Sequence, residues 1–386
     1  MQLKYLLNLA DPQQFLDQYW QKQPVIIRNG FVDFIDPLDE NELAGLAQEE
    51  MVDSRIVVNQ GDKWTVQQGP IEDFEQHCIG AWSLLVQGVD QYLTPAEALL
   101  NAFNFIPKWR VEDLMVSFSV EGAGVGPHLD QYDVFIVQGK GQRRWQVGPL
   151  GDYPCIYPSK DLTQISGFKP IIDEVLHPGD IIYIPPGFPH NGVALSECLN
   201  YSVGLRAPTQ QELLLGLADF AQEHNLFQQR YTDPDLQVRA NQFELSQLEK
   251  QRLRNMCQAM LNSSHFDDFL GHFFTSQVDT NESIGKDDEF TPQQIEHLLQ
   301  CDVQFWPSPD RRVVILKDQN EDSQRHLIWV NQHKIVVSDL QLAQATTMLE
   351  LEYLDRHHLL KLNEDVFFSQ FLSQLVNAGG WFEQQE

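Results

Sequence analysis

Two short segments constrain this chain more than any others: Gly126-Pro127-His128-Leu129-Asp130 and Pro185-Pro186-Gly187-Phe188-Pro189-His190, whose histidines stand 62 residues apart. Side chains alternate faces along an extended strand, so His128 and Asp130 project from one side and can grip a single ion together. The third ligand must be carried back by the fold, which demands an architecture whose distant strands meet at one open end. Two imidazoles and a carboxylate on one face of an octahedral ion leave three positions open, the donor set of non-haem Fe(II) oxygenases. His128, Asp130 and His190 are therefore the expected metal ligands and catalytic centre.

The context strengthens that reading. Glycines at 122, 124 and 126 let the backbone turn tightly before the first motif. Ahead of the second, His177-Pro178-Gly179-Asp180 forms a turn, Ile181 to Ile184 a buried strand, and the proline-rich loop delivers His190. His177 belongs to that turn and is left out of the metal shell. The remaining histidines lack ligand spacing and read as surface or packing residues.

From Leu114 to Arg206 the chain runs as short strands divided by glycine turns: 114–120, 133–138, 143–147, 181–184 and 199–205. This pattern predicts a closed β architecture, best a double-stranded β-helix. Ahead of it come a helix capped by Asp11 with Pro12 at its first position, strands at 24–28, 55–59, 64–67 and 82–87, and a helix from Thr94. After Ala207-Pro208 the periodicity turns helical over 209–229 and 244–261. The stretch Val278 to Glu289 reads as a linker, followed by a helix from Thr291, strands at 313–316, 327–330 and 335–337, and further helices. The expected domains are 1–207, catalytic; 208–277, helical; and 278–386, an arrangement resembling a winged helix.

Composition limits the partners. The formal charge of −29, from 55 acidic and 26 basic side chains, repels phosphate backbones and favours a basic protein partner. Residues 279–386 alone carry 19 acidic against 8 basic side chains, which argues against direct DNA binding by the terminal module. The five cysteines (Cys78, Cys155, Cys198, Cys257, Cys301) form no CxxC pair and are expected as free thiols. With no secretory cleavage pattern and no apolar run long enough to span a membrane, the expected setting is the cytoplasm.

Together these segments resemble the JmjC-domain, 2-oxoglutarate-dependent oxygenases, and specifically the bacterial ribosomal oxygenases. The resemblance rests on residues 19–28 (YWQKQPVIIR), 126–135 (GPHLDQYDVF), 139–147, and Pro178-Gly179-Asp180 through His190, and it extends into the tail. It implies a mixed α and β fold with a cupin-type double-stranded β-helix, a helical dimerisation region making a homodimer, and a winged-helix module. It also implies Fe(II) as metal, 2-oxoglutarate as co-substrate chelating it, and O2 as oxidant. A cation for the far carboxylate falls on Arg143, fifteen residues after His128, whereas Arg144 should face the other way by strand alternation. The arginine fork can donate two charge-assisted hydrogen bonds to a carboxylate. Ser117 on the preceding strand is a second candidate for that carboxylate, or else a plain strand serine.

For substrate, the resemblance implies hydroxylation at the β-carbon of an arginine side chain in a large-subunit ribosomal protein, the L-sixteen protein. Its guanidinium needs carboxylate or aromatic partners, for which Glu121, Tyr132 and Asp133 stand near the motif. Two rivals remain open: N-methyl-lysine demethylation by the same iron chemistry, and a non-catalytic metal-binding cupin with a regulatory role. A zinc-loaded cupin isomerase fits the ligand spacing less well.

Overall fold

The computed structural model describes residues 4–61, 63–276, 289–317, 325–361 and 366–384. The chain divides into two compact units, Met1–Ala207 and Pro208–Glu386. The linker expected at Val278 to Glu289, and with it the boundary at 277/278, lies almost wholly outside the described residues.

Among the described residues of the first unit, helices α1 (Pro12–Gln18), α2 (Glu40–Leu46), α3 (Phe74–His77) and α4 (Thr94–Asn101) accompany thirteen strands. These are β1 (Val25–Ile27), β2 (Ser54–Gln60), β3 (Lys63–Gln68), β4 (Ala81–Val86), β5 (Val111–Ser119), β6 (Val134–Gln138), β7 (Arg143–Val147), β8 (Cys155–Ser159), β9 (Leu162–Ile165), β10 (Ile172–Leu176), β11 (Ile181–Ile184), β12 (His190–Ala194) and β13 (Cys198–Leu205). An eight-stranded sheet runs β1-β11-β6-β13-β5-β4-β2-β3, a three-stranded sheet β10-β7-β12, and β8 pairs with β9. All these pairings are antiparallel.

Strand alternation gives the large sheet two different faces. Leu114, Val116 and Phe118 of β5, Phe135 and Val137 of β6, Ile181 and Tyr183 of β11, and Leu199, Tyr201 and Val203 of β13 join one core with residues of α1, α2 and α4. The intervening residues face the smaller sheet, where Val134, Ile136, Ile182 and Ile184 pack against Trp145, Val147 and Leu176. Each such side chain contributes roughly 1.5–3 kcal/mol by leaving water. On β5 and β13 the same inward face is polar, carrying Ser117, Ser119, Asn200 and Ser202. Helices on one face and a second sheet on the other thus make a β-sandwich closed at one end by apolar packing, with polar groups gathered elsewhere inside.

The second unit comprises α5 (Gln210–Glu223), α6 (Gln247–Leu261), α7 (Ser264–Thr275), α8 (Pro292–Gln300), β14 (Gln304–Pro307), β15 (Val313–Leu316), β16 (His326–Val330), β17 (His333–Val337), α9 (Asp339–Glu350), α10 (Arg356–Lys361), α11 (Val366–Asn377) and β18 (Trp381–Gln384). The strands β15-β16-β17 form an antiparallel sheet, and β14 pairs with β18. Capping boxes at Thr209 and Ser246 start α5 and α6, each satisfying otherwise orphaned backbone donors. The helix expected over 209–229 stops at Glu223 instead. Asn225 and Phe227 adopt left-handed backbone angles there, which no helix can continue through. Helix α7, which the sequence reading passed over, packs on α5 through Phe220, Phe269 and Leu217.

Candidate metal centre

The loop after β5 returns to the sandwich at His128, which forms an antiparallel bridge with His190 at the start of β12. Each residue's amide donates to the other's carbonyl at 3.0 Å, fixing the two backbones side by side. Gly126, in a left-handed conformation (φ +80°), makes the turn that aims this segment; a Cβ there would lie 2.0 Å from Nε2 of Gln164. The Asp130 carbonyl accepts from the Gly187 amide at 2.7 Å, tying the first motif to the proline-rich loop.

The side chains of His128, Asp130 and His190 converge. Asp130 Oδ2 lies 3.9 Å from His128 Nε2 and 3.4 Å from His190 Nε2. The Nδ1 atoms are occupied elsewhere, facing Gly126 O at 2.9 Å and Phe188 O at 3.0 Å. A proton on each Nδ1 makes these bonds and leaves both Nε2 lone pairs aimed at the same point as the carboxylate, the arrangement a metal-ligating histidine requires. Burial, reinforced by the neighbouring His190, pushes His128 down to about 4. Burial pulls the Asp130 carboxyl upward, but the surrounding polar side chains of His190, His128 and Arg55 outweigh it and hold the group below its usual range. A neutral His128 imidazole and an ionised Asp130 carboxylate are protonation states that a ligand set needs. His190 is 1% exposed, whereas the His128 and Asp130 side chains are partly open, so the centre is supported on one side and reachable from the other.

Arg143 points inward from β7 and Arg144 outward, where it pairs with Asp173 on the surface. Arg143 is 4% exposed yet has no carboxylate partner among the described residues. It donates to Asn200 Oδ1 at 3.0 Å, Gly192 O at 3.2 Å and Ser119 Oγ at 3.4 Å, and it lies 5.3 Å from the Trp145 ring centre. Its Nε has no hydrogen-bond partner among the described residues. Burial pulls its pKa below the usual arginine value. Gly192 keeps the space beside it clear, since a Cβ there would sit 2.8 Å from Arg143 Nε. A buried cation with only neutral acceptors and an orphaned donor is incomplete, and a bound carboxylate would complete it.

The hydroxyl that Arg143 reaches is Ser119, itself 2.7 Å from Ser83 Oγ; Ser117 lies one inward position further along β5, opposite Asn200. Sequence reading missed Ser119, Asn200 and Arg55. For Asn200 a signal was present: polar Asn200 and Ser202 alternate with apolar Leu199, Tyr201 and Val203.

The residues proposed to meet substrate scatter. Tyr132 is 44% exposed, with burial of part of the ring and the nearby charges of Asp130 and Asp113 raising its pKa. Glu121 lies exposed on the turn after β5. Asp133 corrects the expectation. It is completely buried, accepting from Tyr183 Oη at 2.5 Å, Gln21 Nε2 at 2.9 Å and Arg110 Nη2 at 3.1 Å. Standing in phase with Phe135 and Val137, it faces the helices rather than the metal ligands.

Residues 98–213 match the family model described as a JmjC domain. The ribosomal protein uL16 3-hydroxylase of Escherichia coli is 41% identical over 382 residues, covering 98% of this chain and 99% of that protein. A crystal structure of E. coli YcfD superposes with a TM-score of 0.88 at 40% identity, covering 99% of this chain and all of the other. A structure of YcfD described as a ribosomal oxygenase in complex with cobalt and 2-oxoglutarate superposes with a TM-score of 0.84 at 39% identity and the same coverage.

Proposed function

Because the chain belongs to the JmjC-domain ribosomal oxygenases, we propose that it is a 2-oxoglutarate- and Fe(II)-dependent oxygenase that hydroxylates the β-carbon of an arginine side chain in the ribosomal protein uL16. The observation that carries the reading is the incomplete Arg143 guanidinium standing in the same interior as three converging metal donors. A non-catalytic cupin has no use for a buried cation without a counter-ion, whereas a dicarboxylate co-substrate needs one.

His128, Asp130 and His190 would hold the iron, and Arg143, with Ser119 and Ser117 beside it, would hold the far carboxylate of 2-oxoglutarate. When bound, iron, keto acid and dioxygen supply the oxidising chemistry: a substrate C–H becomes C–OH, while the keto acid loses carbon dioxide and leaves as succinate. The chain's own contribution is positional. The carbonyls of Gly126 and Phe188 fix both imidazole rotamers. Asn200, whose amide donates to Gln138 Oε1 at 2.8 Å, orients the guanidinium. Trp145 stands 5.3 Å from Arg143 and 6.1 Å from the His190 ring, an apolar wall joining the two parts of the site and excluding water from that side. Tyr132, exposed beside Asp130 and within the field of Asp113, is the aromatic group we assign to the incoming arginine. A chain of net charge −29 suits a basic ribosomal protein.

We assign residues 208–277 to dimerisation and 278–386 to a winged-helix module without direct DNA binding. The exposed Leu214, Leu215, Leu248, Leu253 and Leu261 on α5 and α6 support the first assignment, and the acidic balance of residues 279–386 the second. Among the described residues no helix is long and apolar enough to cross a membrane.

Incubating the chain with uL16, Fe(II), 2-oxoglutarate and air, followed by intact mass and fragment analysis, tests the function. The expected product gains one oxygen on an arginine, with equimolar succinate. Removal of a methyl group from a methylated lysine substrate, with no oxygen retained on unmethylated uL16, would replace hydroxylation by demethylation.

A further inference from the structure

The second unit holds a pocket of about 570 Å³ lined by residues of α5, α7 and the β16–β17 hairpin, including Phe220, Glu223, His224, His265, His272 and His333. One carboxylate oxygen of Glu223 and one ring nitrogen each of His224 and His272 lie within 4.8 Å of one another. Two features of the fold bring them together. Helix α5 terminates at Glu223, placing Glu223 and His224 at its end. Gly216 lets α7 approach α5 closely, since a Cβ there would sit 2.9 Å from the Phe273 ring. Phe220 forms an apolar floor, its ring 4.4 Å from His224 and 5.3 Å from His272.

We infer that Glu223, His224 and His272 form a second divalent-metal site, separate from the first unit's centre and suited to Zn2+. Two imidazoles and one carboxylate with a position left for water are a common zinc donor set. Donors at about 2.0–2.1 Å from zinc stand roughly 3.4 Å apart, so rotation of the exposed Glu223 and His224 side chains closes the site. The neighbouring acid, Asp268, is already paired with Lys334, whereas Glu223 has no lysine or arginine partner among the described residues. The ion would clip the end of α5 to α7.

The test is Zn2+ titration of the metal-stripped full chain by calorimetry, alongside thermal unfolding. Wild type is expected to bind two equivalents. A His128→Ala/His190→Ala variant should keep one, with a metal-induced rise in Tm. Adding Glu223→Ala or His224→Ala, both surface positions that leave folding intact, should weaken that remaining equivalent at least tenfold, and His272→Ala should remove it. In the wild-type background, Glu223→Ala should leave 2-oxoglutarate turnover with Fe(II) unchanged. A single equivalent in wild type, or a second equivalent undisturbed by all three substitutions, overturns the inference.

Discussion

Asn200 accepts a hydrogen bond from Arg143 Nη1 at 3.0 Å and donates its amide to Gln138 Oε1 at 2.8 Å, so neutral groups, not a counter-ion, aim the buried guanidinium. Ligand binding then has a definite energetic role. On the proposed reading, a 2-oxoglutarate carboxylate completing Arg143 would gain two charge-assisted bonds, each worth roughly 1.5–3 kcal/mol, at a site whose desolvation cost folding has already met.

Replacing Arg143 by Met removes those bonds and the uncompensated charge together. The expected result is a 2-oxoglutarate Kd raised about 10²- to 10⁴-fold, the span corresponding to roughly 3–6 kcal/mol. Fe(II) affinity should change little and Tm should hold or rise, because a buried charge without a partner is gone. Anaerobic titration of the Fe(II)-loaded protein with 2-oxoglutarate, paired with thermal melts, measures both.

Asn200 offers a sharper probe, since its two isosteric properties can be separated. Asn200→Ala removes one brace and should raise the KM for 2-oxoglutarate about tenfold, with kcat reduced less. Asn200→Asp instead supplies an internal counter-ion that competes with the co-substrate. Its KM should exceed that of the alanine variant although its shape is closer to wild type. An aspartate variant that binds 2-oxoglutarate as well as wild type would show that Arg143 is not the carboxylate anchor.

What the sequence disclosed followed from distance along the chain. His128 and Asp130 are two residues apart on one local backbone, and the rigid Pro185 to Pro189 loop marks His190, so the triad could be read without a fold. The partners of Arg143 come from β5, β12 and β13, and only sheet register brings Asn200 opposite Ser117 and within reach of Arg143. Ser117 and Ser119 share one face, so alternation alone cannot choose between them. Asp133 misled because nearness in sequence is not nearness in space: its strand phase turns it to the helices. The early end of α5 had no glycine or proline to announce it, only Asn225 and Phe227 in unusual backbone states.

Asp180 holds the turn that leads into β11, accepting from the Asn29 amide at 2.9 Å, the His177 amide at 3.0 Å and Arg28 Nη1 at 2.8 Å. Burial raises its pKa, but those three donors outweigh it and leave the group below the usual carboxylate range. A depressed folded-state value means that the stabilisation is fully present above the unfolded pKa of about 3.9 and is lost as pH falls through the lower folded value. Asp180→Asn should cost about 2–4 kcal/mol at pH 7, the scale expected for a buried charge stripped from its donors. Urea melts of wild type and variant should converge as the pH is taken below about 4. A gap that stayed constant down to pH 3 would mean that the carboxylate charge is not what holds the turn.

The charge imbalance of 55 acidic to 26 basic side chains makes a final prediction about rate. Long-range attraction between this chain and a basic substrate acts on encounter and is screened beyond about 10 Å at 0.1 M salt and about 3 Å at 1 M. The kcat/KM for intact uL16 should therefore fall at least about tenfold between 0.05 and 0.5 M NaCl, largely through association. Uncoupled 2-oxoglutarate decarboxylation, which involves no macromolecular encounter, should vary much less over the same range. Parallel succinate assays with and without uL16 separate the two. Equal salt sensitivity in both would place the effect on co-substrate binding and remove electrostatic steering from the account of how this oxygenase meets its partner.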